Sequence, residues 1–166
     1  MADHSIRYSA SEVFQFAIRI EENGERFYRR LAGLTADLPV KETFAYLAEQ
    51  EGEHRRLFEK MLSEIDNYQP EELYPDDYFT YLRSFADNIV FTGRTEEELP
   101  AKLDPLKAIN FAIRRELDSI MYYLETKPLV PQAQQKMVDR IISEERKHFL
   151  QLSDIRQNLQ KETKNG

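Results

Sequence analysis

The chain has 166 residues, enough for one domain with a core of its own, and it contains no cysteine and no tryptophan. Without cysteine there is no disulfide, zinc ribbon, iron–sulfur ligation or thiol catalysis, so any metal ion must be held by histidine and carboxylates. The formal net charge of −7, with no Lys/Arg block to neutralise phosphates, argues against nucleic acid. No apolar run approaches the roughly 20 residues that span a bilayer, and Met1 to Ser5 have no signal-peptide character. The expectation is a cytoplasmic protein with neither nucleic-acid nor membrane partners.

Abundant Glu, Lys, Arg, Leu and Ala, few glycines and no alternating apolar pattern point to an all-α protein. The first predicted helix opens on the capping box Ser9-Ala10-Ser11-Glu12 and runs to about Gly33, so about 9–33. A second follows Asp37-Leu38-Pro39 and covers about 39–67. The stretch of about 68–103 is rich in Pro, Tyr and acidic residues, with short helices predicted near Pro75 to Ala86 and Thr95 to Lys102. Asp104-Pro105 opens a third long helix over about 104–127, stopped by Pro128, and a fourth covers about 131–160. The short connections make each pair an antiparallel hairpin, and the long stretch is a crossover between hairpins within a single domain of residues 1–166. The two halves are related: Phe16-Ala17-Ile18-Arg19-Ile20-Glu21 recurs as Phe111-Ala112-Ile113-Arg114-Arg115-Glu116.

Each long helix has an apolar stripe, and each stripe is interrupted by charge. Glu21 lies among Phe14, Ala17, Ile18, Tyr28 and Leu31, while Glu51 and His54 lie between Leu47 and Phe58. Glu116 follows Ala112 and Ile113, while Glu145 and His148 stand between Ile142 and Leu152. Four carboxylates left alone in an apolar interior would be severely destabilising. No Lys or Arg occupies these stripes at the same level, so two divalent metal ions are the economical counter-charge, with the imidazoles neutral as ligands. Each Glu-x-x-His unit presents one oxygen and one nitrogen from successive turns of a helix. One such unit on a Glu-rich helix is commonly a solvated pair; two, each with a core Glu about 30 residues earlier, are not.

Tyr28 and Tyr123 lie seven residues after Glu21 and Glu116, about 20° away on the helical wheel. They serve either as hydroxyl supports for the ligands or as packing alone. Glu22 and Glu25 read as charges of the outer face or ligand support, His4 as a solvated terminal residue, and Glu96-Glu97-Glu98 as a solvated helix start.

The chain resembles the ferritin-like superfamily, and within it the rubrerythrin-type di-iron proteins that lack a rubredoxin domain. The resemblance runs from Ala10 to about Leu159. Its marks are Ile20-Glu21-Glu22-Asn23-Gly24-Glu25-Arg26-Phe27-Tyr28, Leu47-Ala48-Glu49-Gln50-Glu51-Gly52-Glu53-His54, Arg114-Arg115-Glu116 with Tyr123, and Glu144-Glu145-Arg146-Lys147-His148. It implies a ferritin-like antiparallel four-helix bundle whose Glu51 and Glu145 bridge two iron ions, with Glu21 and His54 completing one and Glu116 and His148 the other. Rubrerythrins proper carry a further carboxylate one turn after the third-helix Glu, where this chain has Ser119.

The leading expectation is a di-iron oxidoreductase acting on hydrogen peroxide or dioxygen with an external electron donor, and homo-oligomers are common among such proteins. The nearest rival is a ferroxidase or iron-handling protein with Fe(II) as substrate. A rival of another class is a helical module holding manganese or zinc for stability, since His and carboxylates accept those metals too. Oxygenation of an organic substrate would need an apolar channel to the metals.

Overall fold

The computed structural model describes residues 10–65, 75–88 and 104–165. Five α-helices occur among them: α1 (Ala10–Leu34), α2 (Leu38–Ser63), α3 (Asp76–Asn88), α4 (Pro105–Thr126) and α5 (Gln132–Asn165). A single turn of 3-10 helix, Lys127–Leu129, lies between the last two. Helix α1 packs along α2 and α4 along α5 as two hairpins, which meet through α1 against α4 and α2 against α5. The all-helical bundle follows the arrangement expected from the apolar stripes.

Local chemistry sets the helix ends. Thr35 Oγ1 donates to the Leu31 carbonyl at 2.7 Å where α1 finishes, and the Asp37 carboxylate accepts the Val40 amide at 3.0 Å where α2 begins. At the start of α4 the Asp104 carboxylate accepts the amides of Leu106 and Lys107 at 2.8 and 3.1 Å, with Pro105 in the first turn. Thr126 Oγ1 returns to the Tyr122 carbonyl at 2.8 Å at the far end. Ser9, the expected first cap, lies outside the described residues.

Two boundaries differ from expectation. Helix α2 stops at Ser63 instead of about Asn67, because the amides of Glu64 and Ile65 turn inward to the carbonyls of Met61 and Leu62 and tighten the last turn. Helix α5 continues to Asn165, past 160, through Gln, Lys and Glu residues with no glycine or proline to stop it. The short helix expected from Pro75 is α3; the one expected at Thr95 to Lys102 lies outside the described residues.

Helix α3 rests on the bundle through Leu82 and Ala86, both buried, and through Phe85 stacked on Tyr122 with ring centroids 6.5 Å apart. Tyr78 donates to the Glu125 carbonyl at 2.8 Å, Arg83 pairs with Glu12 at 2.7 Å, and Arg19 pairs with Asp87. The crossover is thus fastened to both hairpins. No helix among the described residues is long and apolar enough to cross a membrane.

The exposed cap at Asp104 has no role in the core beyond holding the start of α4. Asp104→Ala should cost about 1 kcal/mol and lower the melting temperature by about 2–4 °C without altering the helical circular-dichroism signal; a change of less than about 0.3 kcal/mol in denaturant unfolding would mean the cap is idle.

Candidate metal centre

The helical periodicity that puts the apolar stripes inside also carries Glu21, Glu51, His54, Glu116, Glu145 and His148 inside, all of them buried. They meet at the centre of the bundle. Glu21, Glu51, His54 and Glu145 offer four donor atoms that all lie within 4.8 Å of one another, and Glu51, Glu116, Glu145 and His148 form a second such group. Glu51 and Glu145 belong to both.

The two imidazoles enter in the same way. Their rings stack with centroids 5.6 Å apart, and each points Nδ1 at the carboxylates. His54 Nδ1 lies 2.8 Å from Glu145 Oε1 and 3.5 Å from Glu21 Oε2. His148 Nδ1 lies 3.2 Å from Glu145 Oε2, 3.4 Å from Glu51 Oε1 and 3.6 Å from Glu116 Oε2. Glu145 therefore turns one oxygen toward each histidine.

These atoms converge without satisfying one another. Glu21 Oε2, Glu51 Oε1, His54 Nδ1, Glu116 Oε2 and Glu145 Oε1 are buried and lack a well-directed hydrogen bond, although buried polar atoms almost always have one. A metal ion held at about 2.1 Å would place neighbouring donors about 3.0 Å apart in octahedral and about 3.4 Å apart in tetrahedral geometry. The observed separations bracket those edges, so the residues present fit a pair of metal ions in both chemistry and spacing.

Tyr28 and Tyr123 support the carboxylates, and they do so crosswise. Tyr28 of α1 donates to Glu116 of α4, and Tyr123 of α4 donates to Glu21 of α1. Each hydroxyl serves the hairpin it does not belong to. Burial, reinforced by Glu116 and Glu21 respectively, holds both phenols well above their ordinary value, so they remain donors. Aromatic rings close the surroundings: Phe27 lies 5.1 Å from Tyr28 and Phe58 lies 5.2 Å from Tyr123.

Two further residues shape the site, and in the sequence both stand within the resemblance motifs without a role assigned to them. Glu144 accepts from His54 Nε2 at 2.9 Å and is held in turn by Arg140 Nε at 3.0 Å. Its signal was a carboxylate immediately before the core Glu145, which a face-by-face reading discounts. Gly24 is the other: a Cβ there would lie 2.6 Å from Glu51 Oε2, so the missing side chain makes room for that carboxylate against α1. Of the residues expected to stand apart, Glu22 is exposed and Glu25 pairs with Arg29 at 2.7 Å and Arg55 at 3.6 Å. His4 and Glu96 to Glu98 lie outside the described residues. Ser119 is buried on the side of α4 that carries Glu116, and among the described residues its hydroxyl has no hydrogen-bond partner.

Burial and the neighbouring charges shift the proton affinities of these groups. Burial, then Glu145, pushes Glu116 up to about 8, and burial with Glu145 and Glu21 raises Glu51 well above the carboxylate range. Burial alone would lower His54 and His148, but the surrounding carboxylates override it and raise both. Burial would likewise raise Glu145, yet the two histidines hold it well below its ordinary value.

A buried carboxylate and histidine nest shared between two hairpins of a four-helix bundle defines a ferritin-like diiron-carboxylate protein. The chain belongs to the rubrerythrin family, whose family model matches residues 12–156. It is similar, at 31% identity and a TM-score of 0.65, to a crystal structure from Thermotoga maritima provisionally described as a ferritin-like diiron-carboxylate protein. That likeness covers 91% of this chain and 96% of the other. No curated protein sequence matched.

Glu51, Glu116, His54 and His148 all bind protons more tightly folded than unfolded, so their stabilising contribution is present below their ordinary values and lost as pH rises through the folded ones. Glu145 acts oppositely, but only below the ordinary carboxylate range. The metal-free protein should therefore melt at progressively lower temperature from about pH 5 to about pH 8, with Glu116→Gln flattening the slope; a melting temperature that climbs over this interval would contradict it. Divalent metal should reverse the trend, since its ligands must be deprotonated. Gly24→Ala should leave the metal-free fold as stable or more so, by up to about 1 kcal/mol, while displacing Glu51 Oε2 and weakening metal binding on the order of 10-fold. Unchanged affinity in a calorimetric titration would show that Glu51 does not need that space.

Proposed function

We propose that this protein is a di-iron oxidoreductase that reduces hydrogen peroxide, or dioxygen, with electrons from an external donor. The observation that carries the reading is the overlap of two donor groups at Glu51 and Glu145, with Glu145 turning one oxygen toward each histidine. Glu51 and Glu145 would bridge the metals, Glu21 and His54 would complete one position, and Glu116 and His148 the other. Bound as a ferrous pair, two irons would supply the two electrons that cleave the O–O bond of hydrogen peroxide or that take dioxygen to the peroxide level.

The chain's own residues prepare that chemistry. Four carboxylates balance about four positive charges, so neither ion leaves a large net charge in the apolar centre. Tyr28 and Tyr123 fix the orientations of Glu116 and Glu21 from across the bundle. Phe27, Phe44 and Phe58, all buried, exclude bulk water around them. With no cysteine in the chain, there is no rubredoxin-type iron centre within it to deliver electrons, which is why the donor is external.

That same lack supports a second reading, a ferroxidase for which Fe(II) is both substrate and reductant. The absence of a carboxylate at Ser119 favours it over a peroxidase cycle in which a ligand changes place.

The deciding experiment is to load metal-free protein with Fe(II) under anaerobic conditions and record ultraviolet and visible spectra as stoichiometric peroxide or air is admitted. Oxo-bridged ferric absorption developing at two irons per chain, faster with peroxide, is expected. Faster reaction with air, followed by release of ferric product, would replace this reading with the ferroxidase one. Inert binding, or binding of manganese or zinc alone, would replace both with a structural metal pair. His148→Ala should lose one of the two irons, the one its own donor group would hold, while keeping the helical circular-dichroism spectrum.

A further inference from the structure

The two hairpins repeat each other, so their differences at the site are informative. The residue before the core Glu of the Glu-x-x-His unit is Glu144 in α5 and Gln50 in α2. Glu144 accepts the Nε2 proton of His54 at 2.9 Å, is braced by Arg140, and has only 21% of its side chain exposed. Gln50 instead reaches along its own helix to Glu53 at 3.5 Å. Among the described residues His148 makes its polar contacts through Nδ1 alone, with no partner at Nε2.

A carboxylate on Nε2 does two things to a histidine ligand. It fixes the tautomer in which Nδ1 carries the lone pair, and it holds the ring at one angle while making that lone pair a stronger donor. His54 has both advantages. His148 has neither, so it must choose its tautomer and orientation when metal arrives.

We propose that the two metal positions are unequal: the position formed by Glu21 and His54 binds first and tightest because Glu144 braces His54, and the position formed by Glu116 and His148 is the exchangeable one. Glu144 is a positioning residue acting through His54. This rests on the dimetal reading of the site and adds to it which ion stays and which comes and goes. Glu51 and Glu145 belong to both groups, so they give neither position a ligand that the other lacks.

Co(II) titrated anaerobically into the metal-free protein, followed by calorimetry and by its ligand-field absorption, tests the order directly. Two steps separated by about 10-fold or more are expected. Glu144→Ala should weaken the first step by about 10–100-fold with little change in the second, and His148→Ala should delete the second step while keeping the first. Two ions binding in one indistinguishable step, a Glu144→Ala protein whose steps weaken alike or not at all, or loss of the first step in His148→Ala would overturn the inequality and leave the dimetal site standing. Failure to bind two ions under any condition would overturn both.

Discussion

The centre of this bundle holds four carboxylates where a helical protein of this size would ordinarily place leucine. Removing a carboxylate from water costs several kcal/mol even after relaxation, and the cost multiplies when like charges share one small volume. Everything else about the site answers that cost. Two imidazoles stand against the carboxylates, two phenols donate into them, and five of the donor atoms remain without well-directed hydrogen bonds. A set of oxygens and nitrogens that converge yet do not satisfy one another is complete only around cations.

The same constraint links local structure to the joining of the hairpins. Each hairpin is held along its length by apolar packing, as its stripes require. Between hairpins, apolar contacts such as Phe27 on Phe111 and Phe58 on Tyr123 are joined by polar ones: the carboxylates common to both donor groups come one from each hairpin, and the tyrosines reach across to the carboxylate of the opposite hairpin. Carboxylate orientation and the meeting of the hairpins are therefore linked, because the groups at the centre come from both.

The fold and the six central residues were legible in the sequence because both depend on helical periodicity. A glutamate at Glu21 or Glu116 is conspicuous only because its neighbours three and four positions away are apolar. What lay beyond reach depends on how helices approach one another. The crossed partners of Tyr28 and Tyr123 need the rotation of α1 against α4, and their position on the wheel pointed only to the glutamate of their own helix. Gly24 is significant solely because Glu51 of another helix leans over it. Glu144 sits at the margin of its stripe, where spacing cannot separate a solvated charge from one bonded to a histidine. The ends of α2 and α5 were misplaced because a tightened final turn and an uninterrupted run of helix formers leave little trace in the apolar pattern.

The internal repeat gives the centre an approximate symmetry. Each hairpin contributes one glutamate common to both donor groups, one further glutamate, one histidine and one tyrosine. A single hairpin of this kind, paired with an identical copy about a twofold axis, would already assemble a complete site. A symmetric pair could alter both halves of the centre only together, whereas one chain that carries both halves can differ between them, as this one does at Gln50 and Glu144.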